Sequence, residues 1–251
     1  MRKNSAKNNI LSANYLNGKQ IDNICNVLTD RYAEKKLGEG TIIRQIDIED
    51  FAATMLGCKI MYETIDEDVD CLGFLSDGIV PLPVIRNGQT VKVLFPKDTI
   101  VIDKYLNMPT QLNRKRFTIA HEAGHLIKKR MYNISGPEYS HEGGLLIDTV
   151  SELSKRYSYK EVESNNFAAS LLMPESMVAM IMHKLYDGKN ILRYPGNILS
   201  GEDTLNVSSM AKIFGVSYTA MFYRLKKLGY LEDGELETYV EANVLGEINE
   251  E

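Results

Sequence analysis

FTIAHEAGHLI, residues 117–127, sets two histidines four apart around a glutamate in an otherwise apolar run. Helical spacing makes Phe117, Ala120, Gly124 and Ile127 a core stripe. His121 and His125 then share another face, one turn apart. Glu122 stands beside them, so the stretch reads H-E-x-x-H. Two imidazoles in this arrangement can bind one zinc ion through ring nitrogens at about 2.0–2.1 Å. The intervening carboxylate is then placed to act on a metal-bound water rather than on the metal. The chain has only four histidines, and two of them sit here on a part-buried helix, where they need partners.

A catalytic zinc usually takes three protein ligands and keeps one open position. The extended motif with a third histidine is absent, because residue 128 is Lys and residue 131 is Met. The third ligand must come from farther away, with His141, Glu142, Glu161, Glu163 and His183 as candidates. The segment EVESNNFAASLLMP, residues 161–174, reads as a helix stopped by Pro174. On it Glu161, Asn165, Ala168 and Leu172 follow one face, with Glu161 and Asn165 as its polar end. This face favours Glu161 as ligand and gives Asn165 a supporting place. Glu163 aligns with Phe167 and Ser170 and stays open as the alternative.

The rest of the chain suits a soluble α+β protein. It has 251 residues, enough for a main domain and a small second one, with 44% hydrophobic and 25% charged residues. Cys25, Cys58 and Cys71 are widely spaced and odd in number, so they suggest neither a disulfide framework nor a cysteine-rich metal site. No stretch reads as a signal peptide or a membrane span, and the expected location is the cytoplasm. The net charge of −5 conceals an asymmetry. LEDGELETYVEANVLGEINEE, residues 231–251, carries eight acids and no base, so the remainder is at +3. That tail is expected to be a solvated end.

Periodicity predicts a first helix, from the helical spacing of Ile21, Ile24, Val27 and Leu28, and a second over IDIEDFAATMLG ending at Gly57. CKIMYETI and TIVIDKYL read as strands. Asn87-Gly88, between two apolar runs, signals a tight hairpin. A helix follows Pro174 and ends near Gly188, and RYPGNILSGED reads as a loop. LNVSSMAKIFG and SYTAMFYRLKKLG form a last helix pair with helix-turn-helix spacing. Arg224, Lys226 and Lys227 would give that pair a basic edge for phosphates. The runs Arg114-Lys115-Arg116 and Lys128-Lys129-Arg130 read as solvated faces.

RFTIAHEAGHLI together with E-x-E-S-N-x-F-A-A-x-L-L-M-P resembles the ImmA/IrrE family of metallopeptidases. The resemblance spans roughly residues 20–230 and is strongest over 114–175. It implies a zincin-like fold, in which a small twisted sheet packs on the helix bearing H-E-x-x-H. It implies zinc as the metal and Glu161, the first glutamate of the second motif, as third ligand beside His121 and His125. Ser164 stands where the family usually has Ala. Glu122 is then the general base. For the oxyanion, Tyr139, His141, Tyr157 and Tyr159 are all available as donors. Such proteins typically cleave a helix-turn-helix repressor of a mobile element or stress regulon and so turn on transcription.

The domain plan expected is a lead-in over 1–18, a metallopeptidase domain over 19–200, a helix-turn-helix-like part over 201–231 and an acidic tail over 232–251. The expected partner is a repressor protein, with direct DNA contact a weaker expectation and no membrane. The competing reading is a DNA- or repressor-binding regulator with a structural or sensory metal, or a toxin–antitoxin component. Glu122 discriminates, because a structural metal site has no need of a base between its histidines.

Overall fold

The structure, a computed structural model, describes residues 16–38, 43–65, 71–132 and 159–240, together with Val244. The chain divides into two compact units, Met1–Pro174 and Glu175–Glu251. Helices and small sheets are mixed, as an α+β protein requires.

In the first unit, helix α1 spans Gly18–Leu37 and α2 spans Ile48–Leu56. Asn17 and Gln20 form a capping box at the start of α1, and Asp47 caps α2, which ends at Gly57. The inner face of α1 differs from the one its apolar residues suggest. Ile21 is buried, but Val27 is exposed, and the buried set is Ile21, Asp22, Cys25, Thr29 and Tyr32. Its polar members are satisfied. Thr29 Oγ1 donates to the Cys25 carbonyl, and the Asp22 carboxylate accepts from Ser170 Oγ at 2.5 Å. A hydrogen-bonded polar residue can take an inner position that counting apolar side chains assigns elsewhere.

Five strands follow: β1 Lys59–Glu63, β2 Gly73–Ser76, β3 Leu82–Arg86, β4 Gln89–Val93 and β5 Thr99–Asp103. β5 is central in a three-stranded sheet, parallel to β1 and antiparallel to β2, and all five of its residues are buried. β3 and β4 form the expected hairpin. Asn87 and Gly88 both have positive φ, 53° and 71°, which the mirror-image two-residue turn demands. The pleat divides the sheet's contacts. Phe74 and Val101 turn toward the hairpin and cluster with Leu82, Val84 and Phe95. Gly73 lies against the other side, where a Cβ would come within 2.8 Å of Thr118 Cγ2.

That other side carries α3, Leu112–Met131, the helix of the opening stretch. Short 3-10 turns at 104–107 and 109–111 lead into it from β5. α3 packs on β2, β5 and α2, and most closely on α4, Tyr159–Leu172. Ile119, Ala120, Ala123, Leu126 and Ile127 bury its apolar side.

The two basic runs on α3 are ties rather than solvated faces. Lys115 pairs with Glu49 of α2 at 2.7 Å, and Arg116 donates to the Ile46 carbonyl at 2.9 Å. Lys128 and Lys129 are buried, and Arg130 reaches Asp98 at 2.8 Å. Their acidic partners lie far away in sequence, so no local pattern announces them.

The second unit holds α5 Glu175–Tyr186, β6 Ile191–Arg193, α6 Gly201–Phe214, α7 Tyr218–Lys227, β7 Leu231–Asp233 and α8 Leu236–Val240. Ser200 and Ser217 cap α6 and α7. The stretch read as a loop, 193–203, meets β6 only at Arg193 and runs into α6 from Gly201, and β6 pairs in parallel with β7 at the start of the acidic tail. Arg193 Nε donates to Asp233 at 2.9 Å, and the Tyr194 and Tyr239 rings meet edge-on at 4.8 Å. The first ten residues of that tail are therefore built into the unit. Arg224 is not part of a basic edge. It is 2% exposed, because it falls on the inward stripe with Met221 and Leu225, while Lys226 and Lys227 stay exposed. Among the described residues, no helix is long and apolar enough to cross a membrane.

Candidate metal centre

α3 presents His121 and His125 one turn apart, and their Nε2 atoms stand 3.0 Å from each other. The carboxylate of Glu161, from the first turn of α4, spans the pair. One oxygen lies 3.2 Å from His121 Nε2 and the other 3.6 Å from His125 Nε2. Among the described residues these three form the one group of histidine, cysteine and acidic side chains that could hold a metal ion. His121 and His125 are buried, and Glu161 is partly so.

The protonation chemistry of this trio calls for a cation. His121 Nδ1 lies 2.9 Å from Asn165 Oδ1, an acceptor, so Nδ1 carries the proton and donates it. In neutral His121 that leaves Nε2 with a lone pair, directed at a second imidazole and a carboxylate. A lone pair, a second ring nitrogen and a carboxylate oxygen repel one another unless a proton or a metal ion lies among them. A tetrahedral ion with ligands at about 2.0–2.1 Å separates its ligand atoms by about 3.3 Å. The distances of 3.0, 3.2 and 3.6 Å lie about that value, with Glu161 meeting the two rings through different oxygens. The residues present therefore fit a zinc-sized ion. With protons rather than a metal ion among the three groups, burial pushes the Glu161 carboxyl up, but the hydrogen bonds and charge of the two protonated histidines outweigh it and leave it at about 2. Glu161 is therefore a carboxylate at neutral pH, as a ligand must be.

Glu163 faces elsewhere. Its carboxylate accepts from the backbone N–H of Leu16 at 2.7 Å and from Lys128 Nζ. His183 lies on α5 of the second unit and is exposed. His141 and Glu142 are outside the described residues, as are Tyr139 and Tyr157; Tyr159 opens α4, with its side chain outside the description. Glu122 is 2% exposed. Lys128 is the site-proximal residue that sequence reasoning missed, because it stood in a basic run at a helix end. Its position seven residues after His121, on the same side of α3, was the available signal.

Gly124 permits the approach of the two helices. A Cβ at this position would lie 2.7 Å from Phe167 Cβ and 3.2 Å from the Ser164 carbonyl oxygen. The contact at that glycine lets α4 lie close enough for a glutamate to span two histidines of α3.

A family model described as Peptidase_M78, the IrrE N-terminal-like domain, matches residues 94–226, just over half of the chain. No curated protein matches the chain. The matched span runs from the end of the hairpin through α3 and α4 into α7 and so contains the whole His121, His125 and Glu161 group. The chain thus belongs to the ImmA/IrrE family of metallopeptidases.

Proposed function

We propose that this protein is a zinc-dependent regulatory endopeptidase that cleaves a helix-turn-helix transcriptional repressor and thereby derepresses genes. The observation that carries the reading is the meeting of Glu161 with the two histidines of an H-E-x-x-H helix. His121, His125 and Glu161 hold the metal, with Asn165 orienting His121. Zinc bound there would lower the pKa of a water molecule and polarise the scissile carbonyl. Glu122 takes the proton of the attacking water and passes it to the leaving amine. The repressor substrate follows from what family members typically act on. The α6–α7 pair, helix-turn-helix-like over 201–231, is read as the part that engages that substrate. With Arg224 buried, the exposed cations left on the second helix of the pair are few, so a protein surface suits it better than a phosphate backbone.

Elemental analysis tests the metal reading first. Wild type should carry about one zinc per chain, and Glu161→Gln should lose it while staying folded. A folded wild type that takes up no zinc, even when zinc is added, would remove the peptidase mechanism. The substrate is tested by incubating the zinc-loaded protein with a helix-turn-helix repressor encoded beside it. Intact repressor after activation of the stress or mobile-element response in cells would refute that assignment.

A further inference from the structure

Beyond the metal trio, the α3–α4 joint holds a second buried ionic contact. Lys128 and Glu163 are 5% and 1% exposed and form a salt bridge, and Glu163 also accepts the Leu16 N–H. The desolvation penalty of such a pair can exceed its Coulomb gain, so stability alone is a weak reason for it. Its place in the joint supplies a better one.

A helix turns by about 100° per residue, so Glu161 and Glu163 leave α4 about 200° apart. Both nevertheless end on α3: Glu161 at His121 and His125, and Glu163 at Lys128. Between them the Ser164 carbonyl and Phe167 press against Gly124. The line of contact runs through that glycine, and the two carboxylates straddle it. Rolling α4 about its own axis would draw one of them away from α3. Gly124 offers no side chain to resist such a roll, so on the α3 side the roll angle is held by these two tethers and by Asn165 at His121, while Ser170 ties α4 to Asp22 of α1.

We propose that Lys128 and Glu163 are a positioning pair for the metal site: they fix the roll of α4 on α3 so that Glu161 faces His121 and His125. This rests on the metal reading above. Neither residue touches the metal, and both act through Glu161.

The test uses the full chain and zinc itself, with affinity read by competition against a chromophoric chelator. In Lys128→Met/Glu163→Gln both charges are gone, a change that often leaves stability near neutral, and the glutamine still offers Leu16 an acceptor. The expected result is a zinc Kd about 10- to 100-fold weaker, with the urea midpoint little changed. Lys128→Arg, which keeps the charge, should bind zinc within about threefold of wild type. A folded double variant with the wild-type Kd would overturn the proposal. A double variant that cannot fold would overturn it as well, since the pair would then hold the domain rather than the site. If wild type itself takes up no zinc, the metal reading is what fails, an outcome distinct from either of these.

Discussion

The α3–α4 and α6–α7 pairs are both close helix contacts, but they bury different chemistry. Between α3 and α4 lie His121, His125, Lys128, Glu163 and Ser164, all under 9% exposed. The α6–α7 pair buries Val207, Met210, Ala211, Phe214, Val216, Met221, Phe222 and Leu225, with Arg224 its single charged buried residue among those described. Its ends are closed by serine caps, with Ser200 accepting from Asp203 N–H and Ser217 from Ala220 N–H, each at 3.1 Å. Apolar burial with capped ends is the ordinary way to stabilise a helix pair. Polar burial needs every group partnered and contributes less to stability, so its concentration in the first pair marks the place where position matters more than stability.

The largest effect that would test this contrast is chemical. Glu122→Gln should keep its bound metal and its fold but cleave its protein substrate about 10²- to 10⁴-fold more slowly. Zinc content and a gel-based cleavage assay read the two properties separately, and undiminished cleavage would mean that the base lies elsewhere.

Next comes the tightness of the α3–α4 joint. Alanine exceeds glycine in helix propensity by about 1 kcal/mol. Gly124→Ala should nevertheless destabilise the protein by about 1–3 kcal/mol in urea titrations, because Phe167 Cβ and the Ser164 carbonyl must yield. A net gain in stability would show that the helices have room to spare.

The α6–α7 pair should answer to its caps. Ser217→Ala should cost about 1 kcal/mol in a thermal melt and leave zinc content unchanged. Loss of zinc in that variant would erase the distinction between the two pairs.

The smallest effect sharpens the comparison most. Ser164 is fully buried, and its Oγ has no hydrogen-bond partner among the described residues. Ser164→Ala should therefore be neutral or stabilising by up to about 1 kcal/mol in the same urea titration. A clear loss would reveal a partner for that hydroxyl.

Much of the fold was legible. Asp47 and Gly57 bound α2, Asn87-Gly88 makes the hairpin, and Pro174 stands between the end of α4 and the start of α5. These are signals carried within one or two turns of chain. The readings that failed were of two kinds. Val27 and Arg224 were judged by residue type, whereas helical period alone would have placed Arg224 inward beside Met221 and Leu225. The pairing of β6 with β7 ties residues 191–193 to a supposed solvated tail, and no local pattern in three-residue strands reveals it.

The sequence by itself determined the two histidines and the glutamate of α3. A helix brings residues four apart onto one face whatever surrounds it, so that half of the site is written locally. The tertiary structure decided which acid of α4 completes the group. Glu161 and Glu163 are two residues apart and chemically identical, and each has its own anchor on α3. Their roles are separated by the crossing at Gly124 and by a lysine that local pattern assigns to the surface. Orientation between helices depends on packing and on partners distant in sequence, and no local period encodes it.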